Sequence, residues 1–431
     1  MDKFSGIFGV IAILGIAYLL SNNRKAINWR IIGSGLLIQL LLALFVLKTQ
    51  IGSTIFSKAG ALITTLLKFS DKGGEFVFGP LMNNHLLTHA FGAGNDFIFV
   101  FKVAPTIIFV SALVSLAYHL GIMQFFISII AKVVLKLMGV SGSEALSNAG
   151  SVFVGQVEAQ ILIKPYVPGM TMSELMASMA GSFACISGGV MAVYISMGIP
   201  AQYLLTASIM AAPGALVIAK MVYPETEKSE TKGEIKLHVE NNSINVIDAL
   251  AHGASDGMKI SINVIAMLIG FVAVINMFDA SVAKLGLVMG HMGVNLGFIG
   301  VDVTHISLKG IIGSVFSIFA WLMGVPWKDA GFVGQLMGTK LVLNEFVAYL
   351  DLLPAIKGTA AATLSPKSIA IATFALCGFA NLSSVAIQIG GIGQLAPTRA
   401  KDLAKIGLKA LVCGTMASYL SATIAGILLS F

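Results

Sequence analysis

Two carboxylates stand where an ionised group is expensive. Glu158 lies in Val154-Gly155-Gln156-Val157-Glu158-Ala159-Gln160, which sets an amide and a carboxylate beside a glycine midway along the apolar run 144–166. Glu345 follows Asn344 and precedes Phe346 midway along a second interrupted apolar run, 330–356. A charged residue at bilayer depth costs about 2.5–3.5 kcal/mol on insertion scales, so each needs a partner, a cavity or a ligand. Behind each comes a second weak point. Ser182-Phe183-Ala184-Cys185-Ile186-Ser187-Gly188-Gly189 interrupts 171–196, and Gly378-Phe379-Ala380-Asn381-Leu382-Ser383-Ser384 interrupts 367–393. A helix unwound at such a point exposes the main-chain carbonyls and amides that hold an ion or a polar ligand. A lone intramembrane Glu can simply cap or pair within a bundle. Two of them, each at a break and each followed by a second broken segment, point to a shared ligand site at the midplane. Cys185 reads equally well as a small residue at a helix contact, and Phe379 by itself as packing.

The remaining polar residues offer less. Asp329, Asp351, Glu144 and Glu174 fall near segment ends, where a helix terminus or water satisfies them. The seven histidines show no metal-ligand spacing, and HExxH and GxSxG are absent, so hydrolysis has no candidate constellation. Cys185, Cys377 and Cys413 sit inside apolar segments with no CxxC pair, which argues against a disulfide framework or zinc site.

The elements that must position these groups follow from composition. The 431 residues are 57% hydrophobic and 11% charged, with a mean hydropathy of +0.90, against about 25% charged in a soluble domain. This is an all-α integral membrane protein. The net charge of +7 does not imply nucleic acid, because the basic residues sit in short loops between apolar runs. Eight transmembrane helices are expected over about 6–21, 28–48, 97–120, 171–196, 200–222, 257–279, 367–393 and 406–429. The runs 144–166 and 330–356 are expected to be re-entrant hairpins, and 51–69 and 305–324 interfacial helices. The first run lacks the order of a signal peptide and is expected to be retained as a span.

Arg24, Lys25 and Arg30, and then Arg399, Lys401, Lys405 and Lys409, place two loops on the cytoplasmic side. Both termini are then non-cytoplasmic. The first hairpin enters from the cytoplasm and the second from outside, the pattern of an inverted repeat. The expected organisation is N-terminal scaffold helices over 1–96, a first repeat over 97–222, a polar, flexible cytoplasmic linker over 223–243 and a second repeat over 244–431.

These motifs closely resemble the concentrative nucleoside transporter family, the NupC-type nucleoside permeases. The resemblance runs over nearly the whole chain. It is carried by Ser21-Asn22-Asn23-Arg24-Lys25-Ala26-Ile27-Asn28, Gly155-Gln156-Val157-Glu158, Asn344-Glu345-Phe346-Val347-Ala348-Tyr349 and Cys377-Gly378-Phe379-Ala380-Asn381-Leu382-Ser383-Ser384. The short N-terminus is similar to that of the bacterial eight-span members. The resemblance implies a homotrimer, a scaffold holding a mobile transport domain, and one site per protomer. By matching positions, Gln156 and Glu158 would face the nucleobase, with Ile260 as an apolar wall and Val190 lining the pocket. Glu345, Asn381 and Ser384 would take the ribose hydroxyls, with Phe379 beside sugar and base. Vicinal hydroxyls are both donors and acceptors, and a carboxylate with an amide answers them.

The same resemblance implies a sodium site at Ser151, Val154, Cys185 and Ile186, with three departures. The sodium-coupled bacterial pattern has Asn where Ser151 stands, Ser where Cys185 stands and Thr where Val157 stands. Sodium wants oxygen and a thiol offers soft sulfur. Proton-coupled relatives share the serine, with Glu158 or Glu345 as the natural proton carrier. The coupling ion is therefore Na+ or H+, with Na+ taken first, and no other cofactor is expected. The expected function is cation-coupled nucleoside import by alternating access across the cell inner (plasma) membrane, with nucleoside and lipid bilayer as partners and no enzymatic role. The rivals are a secondary transporter of another small polar metabolite and, from a different class, an intramembrane enzyme or channel.

Overall fold

The structure, a computed structural model, describes residues 5–92, 98–233, 243–292, 307–359 and 364–430. Parts of the linker expected over 223–243 and of the interfacial helix expected over 305–324 lie outside the described residues, as do the chain ends and the boundary expected at 96–97.

Helix breaks in this chain are built from its scarce polar side chains. A helix start leaves amides without intrahelical partners, and lipid cannot supply them, so a hydroxyl or amide must. Ser141 and Thr171 each close a reciprocal capping box, with Glu144 and Glu174 three residues on. Ser187, Asn344 and Asn381 each accept from the amide three residues later, namely Val190, Val347 and Ser384. The residues that mark the breaks in the sequence are thus also the caps that make those breaks tolerable.

The first part of the chain forms α1 (Ser5–Leu19), α2 (Trp29–Lys48), α3 (Gln50–Phe78), α4 (Asn84–Phe91), α5 (Phe99–His119) and α6 (Ile122–Met138). Then come α7 (Gly142–Ser151) and the one-turn α8 (Glu158–Ile161), followed by α9 (Met172–Ala184), α10 (Gly188–Met197) and α11 (Ala201–Val222). The second part holds α12 (Val246–His291), α13 (Leu308–Leu322), α14 (Trp327–Val342), α15 (Glu345–Ile356), α16 (Pro366–Leu376), α17 (Leu382–Leu395) and α18 (Ala400–Leu428). All elements named among the described residues are helical; Ser141 and Lys232 add an isolated antiparallel bridge.

Six stretches are long and apolar enough to cross a bilayer: Trp29–Lys48, Phe99–His119, Met172–Met197, Ala201–Val222, Val246–Met289 and Pro397–Leu428. The span expected at 6–21 falls on the 15-residue α1, and that at 367–393 on α16 and α17, each shorter than the roughly 20 residues a crossing needs. The span expected at 257–279 lies inside a helix of 46 residues. The amphipathic α6 was not expected.

Burial sorts these helices. The apolar window of α11 is 89% buried, whereas that of α12 is 12% buried, so α11 is core and α12 presents most of its surface outward, apart from its packing on α5. Around α11 pack α2, α9 and α18, and α18 in turn covers α9 and α16.

The described part of the segment expected to be a flexible linker is docked. Thr231 donates to the Ser143 hydroxyl at 3.0 Å and its own hydroxyl accepts from the Ser143 amide at 3.2 Å. Ser229 donates to Glu174 at 2.6 Å. Beneath them the buried Lys220 pairs with Glu144 and donates to Ser173 at 2.8 Å. The reason is chemical: two capping carboxylates and their serines form a polar floor, which an apolar segment could not cover without orphaning them. Thr231→Val strips one hydroxyl from that floor. A loss of about 1–2 kcal/mol is expected, read as a lower unfolding temperature in detergent with transport kinetics little changed.

Candidate functional site

Backbone contacts bring three of the helix breaks together. The Gly188 amide, just after the α9 break, donates to the Phe153 carbonyl between α7 and α8 at 2.8 Å. The Phe379 amide, in the break after α16, donates to the Cys185 carbonyl at 3.2 Å. From α18 the Ser418 hydroxyl reaches the Cys377 carbonyl at 3.0 Å and the Ala184 carbonyl at 3.4 Å. Carbonyls that the interrupted helices leave open thereby accept from amides of the neighbouring breaks and from the Ser418 hydroxyl.

A cavity of about 550 Å³ opens beside this crossing, within the range of small-molecule sites. Glu158, Val154, Val190 and Ile260 line it, as do Tyr118 and Asp256. The Glu158 carboxylate folds back over Gly155, so close that a methyl group there would meet Oε2 at 2.1 Å. That is why the turn carries glycine: any larger residue would push the carboxylate away. Gln156 does not line the cavity, but its Oε1 is buried without a hydrogen-bond partner. A buried unpaired acceptor costs about 1–3 kcal/mol, and a ligand donor would relieve that cost.

Glu345 lies deeper, outside the cavity lining, in a cage of neutral donors. Tyr194 donates to Oε1 at 2.9 Å and Asn381 to Oε2 at 3.4 Å. Asn381 is at the same time the cap of α17, its Oδ1 accepting from the Ser384 amide at 2.9 Å and the Ser383 hydroxyl at 2.7 Å. Ser384 is buried and Phe379 half-buried. Helix α10 connects the two groups: Val190 faces the cavity, and Tyr194, one turn on, holds Glu345. Tyr194 packs at a tilt against Tyr349, with centroids 4.5 Å apart, and against Phe346 at 5.8 Å, which restrains its ring.

The four residues expected to hold an ion are all buried near the first crossing. The Ser151 hydroxyl donates to the Ser147 carbonyl at 2.8 Å and lies 3.1 Å from the Ser182 hydroxyl. The Cys185 thiol is directed to the Ser208 carbonyl at 3.8 Å. Oxygen donors suited to a hard cation are therefore the Ser151 and Ser182 hydroxyls with the main-chain carbonyls of Val154 and Ile186. The thiol is committed elsewhere.

Comparison with known proteins decides the family. The model described as Na+ dependent nucleoside transporter C-terminus matches residues 203–426, its N-terminus counterpart matches 8–81, and a nucleoside recognition gate matches 100–201. This chain belongs to the Na+ dependent nucleoside transporter family. The family is one of transporters and not of enzymes. The chain is 39% identical to nucleoside permease NupC of Helicobacter pylori, over 98% of each chain. It is 41% identical to an uncharacterized transporter of Haemophilus influenzae, over 99% of this chain and 98% of that one. The solved structure of CNTnw in an inward-facing substrate-bound state superposes with a TM-score of 0.91 at 40% identity, covering 99% of this chain and 98% of that one.

Within this nucleoside transporter two side chains at the Glu345 site escape the sequence reading. Tyr194 is 151 residues from its partner; its only signal is a tyrosine inside an apolar run that starts at a glycine pair. Lys340 is buried five residues before Glu345, and nothing in its local sequence marks that burial.

Proposed function

We propose that this protein is a cation-coupled nucleoside symporter that imports nucleosides by alternating access. In this reading it has eight spans, two re-entrant hairpins (144–166 and 330–356) and an inverted repeat, and forms a homotrimer in the cell inner membrane with both termini outside. The first repeat, 97–222, and the second, 244–431, share a mobile transport domain held by the scaffold of 1–96.

The observation that carries the reading is the Glu345 cage. A buried carboxylate met only by uncharged donors keeps lone pairs for vicinal ribose hydroxyls, and Asn381 and Ser384 stand next to it. Gln156 and Glu158 take the base edge, supported by the unpaired Gln156 oxygen, with Val190 and Ile260 as the apolar walls and Phe379 beside sugar and base. Na+ would be held by Ser151 and the carbonyls of Val154 and Ile186, beside the Cys185 thiol that stands where an oxygen would serve better, completing the crossing of the first broken pair. The family description favours Na+ over H+. Substituted forms of CNTnw in an outward-facing state also superpose on this chain, with TM-scores of 0.90 and 0.91, which supports movement between two facings.

The test is labelled uridine uptake into proteoliposomes with Na+ and H+ gradients imposed separately. Accumulation above the outside concentration is expected with the Na+ gradient and is abolished when that gradient is collapsed. No nucleoside accumulation under either gradient would overturn the proposal.

A further inference from the structure

The cavity has an end to which the nucleoside reading gives no role. Helices α5 and α12 form one of its walls and touch through backbone: a methyl group at Gly253 would meet the Ser111 carbonyl oxygen at 2.6 Å, and one at Gly257 would meet the Cα of Ile108 at 2.7 Å. The two contacts set an antiparallel register, and surfaces this close keep the wall in shape. Along it the chemistry changes. Ile107, Ser111 and Tyr118 on α5 and Ile260, Asp256 and His252 on α12 line the cavity at helical spacing. The register sets the two isoleucines toward one end, and Tyr118 and His252 toward the other. At the isoleucine end α10 meets the wall, with a methyl group at Gly189 lying 3.9 Å from Val110, so Val190 belongs there. The far end is polar.

Gln124, in the first turn of α6, stands at that polar end. Its Nε2 donates to the Tyr118 carbonyl at 2.8 Å, which also accepts from the Gly121 amide at 3.0 Å. This bond closes the end of α5 and decides which way the side chain faces, because a reversed amide would set oxygen against oxygen. Oε1 is left buried without a hydrogen-bond partner among the described residues, on a side chain that is 9% exposed and lines the cavity. An N–H or O–H brought into the cavity would satisfy it. The α12 side of this end is open to solvent: His252 pairs with Asp248 at 3.3 Å and Asp256 with Lys259 at 2.9 Å, and the side chains of His252 and Asp256 are each 64% exposed.

We propose that this polar end is a release subsite, a second and weaker place for the transported nucleoside once it has left Glu345 and Asn381. There Gln124 Oε1 accepts from an N–H or O–H of the ligand, while the solvent-exposed Asp256 and His252 let water take over its other polar groups. On the topology proposed above, the end of α5 and the start of α12 face the cytoplasm, so the subsite lies on the side to which an imported ligand departs. Leaving in two stages spares the ligand the loss of all its hydrogen bonds at once. The ligand's identity rests on the nucleoside reading; the place of the subsite does not.

The test is equilibrium dialysis of labelled uridine against the full chain in detergent with Na+. The wild type is expected to show two saturable phases, a tight one and a weaker one, together approaching two nucleosides per protomer. Gln124→Lys keeps a donor for the Tyr118 carbonyl and removes the acceptor, and is expected to weaken the second phase about fivefold relative to the first, as the loss of one neutral hydrogen bond would. Gln124→Met removes donor and acceptor together and is expected to weaken the second phase as much, with a lower unfolding temperature. Should it fail to fold, Gln124→Lys carries the comparison. Glu345→Gln is expected to do the reverse, weakening the first phase and sparing the second. A single phase in the wild type, or a second phase that the Gln124 variants leave unchanged, overturns the subsite and leaves the nucleoside reading standing. Neither phase in the wild type overturns both.

Discussion

Glu345→Gln is expected to lower ribonucleoside uptake efficiency by about 100-fold, equivalent to about 2.7 kcal/mol. The carboxylate has two oxygens that only accept, and both already receive donors, Tyr194 at 2.9 Å and Asn381 at 3.4 Å. An amide keeps one accepting oxygen and turns an N–H toward one of those donors, so the cage opposes it before any ligand arrives. A ribose hydroxyl then loses a charge-assisted hydrogen bond, worth about 1.5–3 kcal/mol. A nucleoside lacking the 2′ and 3′ hydroxyls has little to lose, so its uptake falls much less, and the two substrates converge in the variant. Stability drops by a few degrees at most, because Lys340 still holds the Ala375 carbonyl and Tyr349 still caps Thr373. Parallel uptake of both nucleosides by wild type and variant reads the effect. Unchanged affinity and rate for the ribonucleoside in a well-folded variant would remove Glu345 from the ribose site.

The breaks were legible because the chain marks them locally. Gly155 beside Glu158, Ser187 before a glycine pair, Asn344 before Glu345 and Asn381 after Gly378 all combine a cap or a glycine with an apolar surround. Lipid makes such punctuation costly anywhere else. Partners set by long-range packing left no local trace. Tyr194 meets Glu345 across 151 residues and Lys340 meets Ala375 across 35. The burial of a lysine depends on which neighbour caps which helix end, and no periodicity encodes that. The polar segment after Tyr223 reads as flexible for a related reason. Its serine and threonine find their acceptors on Ser143 and Glu174, far back in sequence. Helix α6 is legible only by its face: Gln124, Ile127, Ala131, Val134 and Met138 form a buried stripe at helical spacing. For Asn381 the sequence suggested a ligand contact. The structure adds that its single side-chain oxygen is already spent on capping α17, so its amide nitrogen is the part that serves the Glu345 site.

Gly378→Ala tests the crossing on which both halves of the site depend. Gly378 has φ +141°, a backbone region that residues with a Cβ rarely adopt. A methyl group there would meet the Ala184 carbonyl oxygen at 2.7 Å and that of Phe183 at 2.8 Å. Both obstacles are backbone, so no side chain can swing aside. Relief requires the two broken helices to separate, which lengthens the bond from the Phe379 amide to the Cys185 carbonyl and loosens the grip of Ser418 on Cys377 and Ala184. Dihedral strain of about 1–3 kcal/mol adds to the loss of a buried hydrogen bond at about 1 kcal/mol. The unfolding temperature should fall by several degrees. Transport should fall to background, because Ile186 on one side and Phe379 with Asn381 on the other are displaced together. Gly390→Ala is the control: it lies in α17, with nothing within 4 Å of its added methyl, and should leave stability within about 0.5 kcal/mol of the wild type or slightly raise it. Equal behaviour of the two variants would mean that the breaks do not bear on one another, and the carbonyls and caps they expose would then be two separate features rather than one site.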